Sequence, residues 1–96
     1  MKRKSIWSDY ALDQFLKITG NIELYFDKEA ARNFVIDITD LVDMFAENPE
    51  HGNIIEEYES EGIWHYTYEK DKLKYRIVYK VMPYEIHIVS IFQLTH

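Results

Sequence analysis

The sequence predicts an α+β fold: an N-terminal edge strand, then an αα-hairpin packed on one face of a mostly antiparallel β-sheet, in the order β-α-α-β-β-β. Three observations predict it. Leu73, Tyr75, Ile77, Tyr79 and Val81 alternate with Lys74, Arg76, Val78 and Lys80, the period-2 signature of a half-buried strand. Residues 8–46 carry two apolar stripes recurring every three and four positions, the signature of amphipathic helices. Between these regions the pattern breaks at Asn48-Pro49 and turns polar.

Taken in order, Arg3 to Trp7 is a short first strand, whose basic side chains discourage edge-to-edge pairing. Ser8 or Asp9 is suited to cap a first helix. Its stripe is Ala11, Leu12, Phe15, Leu16, Thr19, Ile22 and Phe26, so the helix reaches about Leu24, with Gly20 a point where it could kink. Asp27 caps a second helix, Lys28 to about Ala46, with the stripe Ala31, Phe34, Val35, Ile38, Leu41, Val42 and Phe45. Asp37, Asp40 and Asp43 fall opposite that stripe and read as a solvated face. Residues 50–62 read as a mobile, acidic loop with room for a helical turn.

Residues 63–68 alternate again, with Trp64, Tyr66 and Tyr68 against Ile63, His65 and Thr67. Glu69 to Lys72 connect this strand to the next. Residues 73–81 and 85–94 then form a hairpin around Met82-Pro83-Tyr84, where Pro83 suits a turn because it cannot donate to a ladder. The last arm is almost continuously apolar, which predicts a strand covered on most of its surface, either central or packed under helices.

Composition bounds the function. The chain has 96 residues, 47% of them apolar and 16% aromatic, enough for the single core of one domain, residues 1–96. It has no cysteine, which excludes disulfides and thiolate chemistry. No apolar run is long enough to span a bilayer, and Ser8-Asp9 interrupts any signal-peptide core, so a soluble cytoplasmic protein is expected. Net charge is −6 but divided: residues 5–69 hold 3 basic against 15 acidic side chains, or −12, and the rest 8 against 2, or +6. An acidic surface repels nucleic acid, whereas a segregated basic face can still attract it. Lys74, Arg76 and Lys80 are then either an anion-binding row or the wet face of a strand. The histidines His51, His65, His87 and His96 show no metal-ligand spacing, and there is no glycine-rich phosphate loop, so no metal or cofactor is expected.

Four segments in this order resemble the RelE/ParE superfamily of bacterial toxins, the killer halves of type II toxin–antitoxin pairs. They are Trp7-Ser8 with Ala11, Glu29-Ala30-Ala31-Arg32-Asn33-Phe34, Leu41–Phe45 followed by Asn48-Pro49-Glu50-His51-Gly52, and the strand Tyr75-Arg76-Ile77-Val78-Tyr79-Lys80-Val81. The resemblance implies an antitoxin partner seated in a groove beside the sheet. It further implies one of two targets: DNA gyrase for ParE-like members, or ribosome-bound mRNA, which RelE-like members cleave. Arg76 matches the family arginine of the strand. With Lys74 and Lys80 it forms the expected target- or RNA-binding set, the alternative for Arg76 being an ion pair with the acidic loop. For cleavage, the candidate catalytic residues are Arg76, Lys74, His96 and His65. Trp64, Tyr66 and Tyr68 are either an antitoxin contact or core packing.

The chain departs from the family at its last strand. Gln93 stands about where members carry a histidine or tyrosine, and an amide cannot move protons near neutral pH. The net charge of −6 is also unlike the basic ribosome-acting members. Both departures favour a ParE-like inhibitor over a nuclease. A third reading is a degenerate, non-toxic member retained as a binding module.

Overall fold

The computed structural model describes residues 2–94. The chain runs as β1 (Lys4–Trp7), α1 (Asp9–Tyr25), α2 (Lys28–Glu47), a 3₁₀ turn (Pro49–His51), β2 (Asn53–Ile54) and a second 3₁₀ segment (Glu56–Glu61). It continues through β3 (Ile63–Lys70), β4 (Leu73–Val81) and β5 (Glu85–Gln93). The five strands form one sheet in the order β1-β5-β4-β3-β2, antiparallel except for the β1–β5 pair.

Both helix starts follow from their caps. The Ser8 hydroxyl accepts the Ala11 amide at 3.0 Å, and the Asp27 carboxylate accepts the Ala30 amide at 2.7 Å. α1 passes through Gly20 without a break. Its buried line is Ala11, Phe15 and Ile22, with Ile18 half-buried against the core. The expected stripe was too wide: Leu12, Leu16 and Phe26 are exposed, Leu16 by 61%. α2 buries Phe34, Ile38, Val42 and Phe45 against the inner side chains of β4, Tyr75, Ile77 and Tyr79.

Three differences from expectation have simple causes. Residues 50–62 are not a plain loop, because Asn53 and Ile54 pair with His65 and Trp64 as β2. Two residues are too few to show an alternation, so this strand left no periodic signal. The apolar run of β5 does not mean that both of its faces are covered. The register slips between Val78 and Tyr79, whose partners are Ser90 and Ile88, so Val89 is an extra residue in a β-bulge. A bulge reverses the alternation. Ile86, Ile88 and Ile91 therefore all point into the core, although they differ in parity, while Val89 and Phe92 stay exposed. The β3–β4 connection is also tighter than expected: the strand runs to Lys70, and Asp71, in the left-handed region at φ 56°, turns the chain with Lys72.

The motif Asn48-Pro49…Gly52 folds around one hydroxyl. Tyr79 is fully buried, stacked on Phe45 with ring centroids 4.3 Å apart. Its hydroxyl donates to the Pro49 carbonyl at 2.7 Å and accepts the Gly52 amide at 3.0 Å. A Cβ at Gly52 would stand 2.2 Å from that hydroxyl and 2.6 Å from the His65 carbonyl, so only glycine fits. Thus the helix ending and the inner face of β4, two separate sequence signals, are one structural lock.

Candidate target-binding face

Both helices pack on one side of the sheet, and the alternation of each strand decides what reaches the other. On β4 the inner residues are Tyr75, Ile77 and Tyr79, which leaves Lys74, Arg76, Val78 and Lys80 for the open face. Register places Thr67 and Phe92 on either side of Arg76, Glu69 beside Lys74, and Ile63 and His87 beside Lys80. The three cations of the predicted set therefore share one row, as period 2 requires.

Arg76 is half-buried, and its Nη2 donates to the Thr67 hydroxyl at 3.4 Å, a long contact. Among the described residues, no carboxylate forms a salt bridge with Arg76, Lys74 or Lys80. The expected alternative, an ion pair between Arg76 and the acidic loop, is thus not formed there. Among the described residues, the buried Nε of Arg76 has no hydrogen-bond partner, and neither does the buried Nδ1 of His65 nearby. Such unsatisfied groups cost stability and are rare in interiors. Burial, and then the Arg76 charge, hold the His65 imidazole below its usual pKa, so it stays neutral at physiological pH. His87 instead contacts Glu85, Nε2 to Oε1 at 2.9 Å.

Phe92, 38% exposed, adds an apolar ring beside Arg76. Sequence reading missed it because the bulge that turns it outward is invisible in the apolar run. Gln93 lies on the other side of the sheet: it pairs with the inward-facing Tyr75 and lines a cleft with Gln14, Lys17 and Ile18 of α1. The position matched to the family's histidine is therefore separated from Arg76 by the sheet itself. His96 lies outside the described residues.

The aromatic row Trp64, Tyr66 and Tyr68 faces the helices. Tyr68 is core, 7% exposed, with its ring edge-on to Phe34. Trp64 and Tyr66 are half-buried against the same core, and Tyr66 stacks on His51. Of the two readings of the row, packing describes Tyr68, whereas Tyr66 keeps a wet edge in a groove beside α2. Asp37, read from the sequence as a solvated residue, accepts the Tyr68 hydroxyl at 2.7 Å and pairs with Lys70 at 3.3 Å. A tyrosine three residues before the β3–β4 turn gave no sign of that partner, because the contact spans 31 positions.

Among the described residues, no helix is long and apolar enough to cross a membrane, and no group of three potential metal ligands forms. No functionally curated protein matches the sequence. Six chains of solved structures do. One, from the chromosomal ParDE TA system of P. aeruginosa, agrees with a TM-score of 0.73 over 98% of each chain, at 19% identity. Identity that low shows a shared fold. The sequence itself carries the kinship further: residues 5–96 match the ParE toxin of type II toxin–antitoxin systems, parDE, and the chain belongs to that family.

Proposed function

We propose that this toxin arrests growth by binding DNA gyrase, without cutting a substrate, through the row Lys74, Arg76 and Lys80. A cognate antitoxin silences it, and both act in the cytoplasm. The observation carrying this reading is the separation of Arg76 from Gln93 by the thickness of the sheet. Cleaving RNA requires groups that take a proton from the 2′-hydroxyl and return one to the leaving oxygen, within hydrogen-bond reach of one phosphate. Among the described residues, the open face near Arg76 carries Lys74, Glu69 and His65, and the one imidazole there buries its Nδ1. A row of three cations without salt bridges among the described residues, with an exposed phenyl ring beside Arg76, suits recognition of an acidic protein surface.

One observation favours a second reading, a RelE-like ribosome-dependent endoribonuclease. Phe92 beside Arg76 offers a base a stacking platform next to a guanidinium that can grip phosphate. Controlled expression without the neighbouring gene separates the readings. Filamentation and DNA-damage signalling with intact mRNA is the expected result. Arrest with cut mRNA would instead assign Arg76, Lys74 and a histidine to cleavage. Harmless expression would reject both and leave a non-toxic binding module.

A further inference from the structure

α1 has a second apolar row besides the one it buries. Ala11, Phe15 and Ile22 turn into the core. On the side away from it Leu12, Leu16, Gly20 and Leu24 are all exposed and follow one another at steps of four, the spacing that lines side chains along one helix face. Leu24 is 74% exposed, and the apolar surface continues into the α1–α2 turn through Tyr25, 75% exposed, and Phe26. Single exposed apolar residues are ordinary, whereas a contiguous row marks a contact surface.

Gly20 sits in the middle of that row, where glycine weakens a helix relative to alanine. Nothing within the chain calls for it. α1 runs through it unbroken, and among the described residues a Cβ there would meet no atom within 4 Å. Its bare backbone instead opens a hollow on the outer surface, lined by Gly20, Glu23, Leu24, Asp27 and Lys28. The first four stand at i, i+3, i+4 and i+7, the corners of a hole that receives a knob from a facing helix. A matching knob is Leu16, exposed about one turn before Gly20, as the centre of the hollow lies about one turn after it. A two-fold axis near Gly20 therefore seats Leu16 of each copy in the hollow of the other.

We infer that this face pairs two copies of the chain, α1 crossing the α1 of the second copy antiparallel at Gly20. Knob and hollow on one surface, balanced about one residue, are what an isologous interface requires. With no side chain at the crossing, the two axes can approach to the near end of the usual range of about 8–10 Å. Leu16, Leu24, Tyr25 and Phe26 together present roughly 400–500 Å². With Leu12 and the stem of Lys17 at the rim, the patch approaches the roughly 800 Å² per partner of a standard interface. Lys17 is already paired with Asp13 at 3.0 Å, so it asks for no partner across the contact. Each copy carries a net charge of −6, so the pair forms against repulsion, and screening by salt strengthens it. Lys74, Arg76 and Lys80 lie on the other side of the sheet and stay free in both copies. The pairing does not depend on what that row binds.

Sedimentation equilibrium of the full chain should show a species of twice the 11.6 kDa chain mass, its dissociation constant falling several-fold as salt rises from about 50 to about 500 mM. Gly20→Arg fills the hollow at an open helical position, so the variant should melt no lower than the parent yet pair about tenfold or more weakly. Leu16→Glu, also at an exposed position, should weaken pairing by as much. The chain has no cysteine, so Leu16→Cys combined with Leu24→Cys should oxidise in air to a covalent dimer. Tyr84→Cys, exposed at the β4–β5 turn, should crosslink far more slowly. A monomer at every concentration up to millimolar, a dimer that Gly20→Arg and Leu16→Glu leave intact, or a dimer that salt dissolves would overturn the inference. So would a chain that is monomeric alone and loses the neighbouring gene's product on Leu16→Glu, because the row would then serve that partner.

Discussion

The two faces of the β-sheet are built from the same strands by opposite rules. On the helix-covered face two buried tyrosines are satisfied: Tyr79 holds Pro49 and Gly52, and Tyr68 holds Asp37. On the open face Arg76 and His65 each bury a nitrogen without a partner, and three cations lack salt bridges among the described residues. A side chain shifted by one position along β4 moves from one regime to the other. The contrast separates inward residues whose polar atoms the fold satisfies from outward ones that it leaves free to meet a partner, as the proposed function requires.

The comparison predicts unequal costs for substitutions on the two faces. Gly52→Ala should be the most damaging, lowering stability by about 3 kcal/mol, because its Cβ collides with a buried hydroxyl and a backbone carbonyl that cannot both retreat. Urea denaturation measures this directly. A loss below about 1 kcal/mol would mean that the lock around Tyr79 is loose. Tyr79→Phe should cost about 2 kcal/mol, since it strands the buried Gly52 amide and removes the donor to Pro49.

The same contrast has a pH signature. Burial raises the hydroxyl pKa values of the inward tyrosines Tyr68, Tyr75 and Tyr79 above 10.0, that of Tyr79 to about 12. In Tyr68 the bond to Asp37 adds to burial. The unfolded chain releases these protons first. Stability from these groups is therefore complete below about pH 10 and drains away as the pH rises toward 12. Tyrosinate absorbance of the folded protein should show three of its eight tyrosines ionising late. Tyr79→Phe should shrink the alkaline loss of stability; an unchanged loss would place its cause elsewhere.

The smallest stability effect belongs to the open face. Arg76→Leu should change stability by about 0.5 kcal/mol or less, or even raise it, because the substitution removes a buried donor that has no partner among the described residues. Calorimetry showing a loss above about 2 kcal/mol would give Arg76 a structural role and dissolve the contrast between the faces.

Most of this architecture is legible in the sequence, for physical reasons that also mark where legibility ends. Period 2 in β4 assigned Arg76 to the open face and Tyr79 to the core. The caps Ser8 and Asp27 announced both helices. What stayed hidden depends on pairing between distant residues. β2 is too short to show a period. The bulge at Val89 imitates a strand buried on both faces, and so conceals Phe92 beside Arg76. Asp37 looked solvated because its partner Tyr68 is on another element. The apolar surplus of α1 misled in the other direction: Leu12 and Leu16 fit the helical stripe yet stay outside, because Ala11, Phe15 and Ile22 already fill the contact. At the site, chemistry could be read from residue types, but which groups meet could not. Only the register shows that Arg76 and Gln93 lie on opposite sides of the sheet.

Inhibition of purified gyrase tests the division between the faces most directly. Supercoiling should be blocked by the unaltered protein and spared by the variant carrying Arg76→Ala and Lys80→Ala, while both proteins melt at the same temperature. Equal inhibition by the two, at equal stability, would contradict the assignment of binding to the open face.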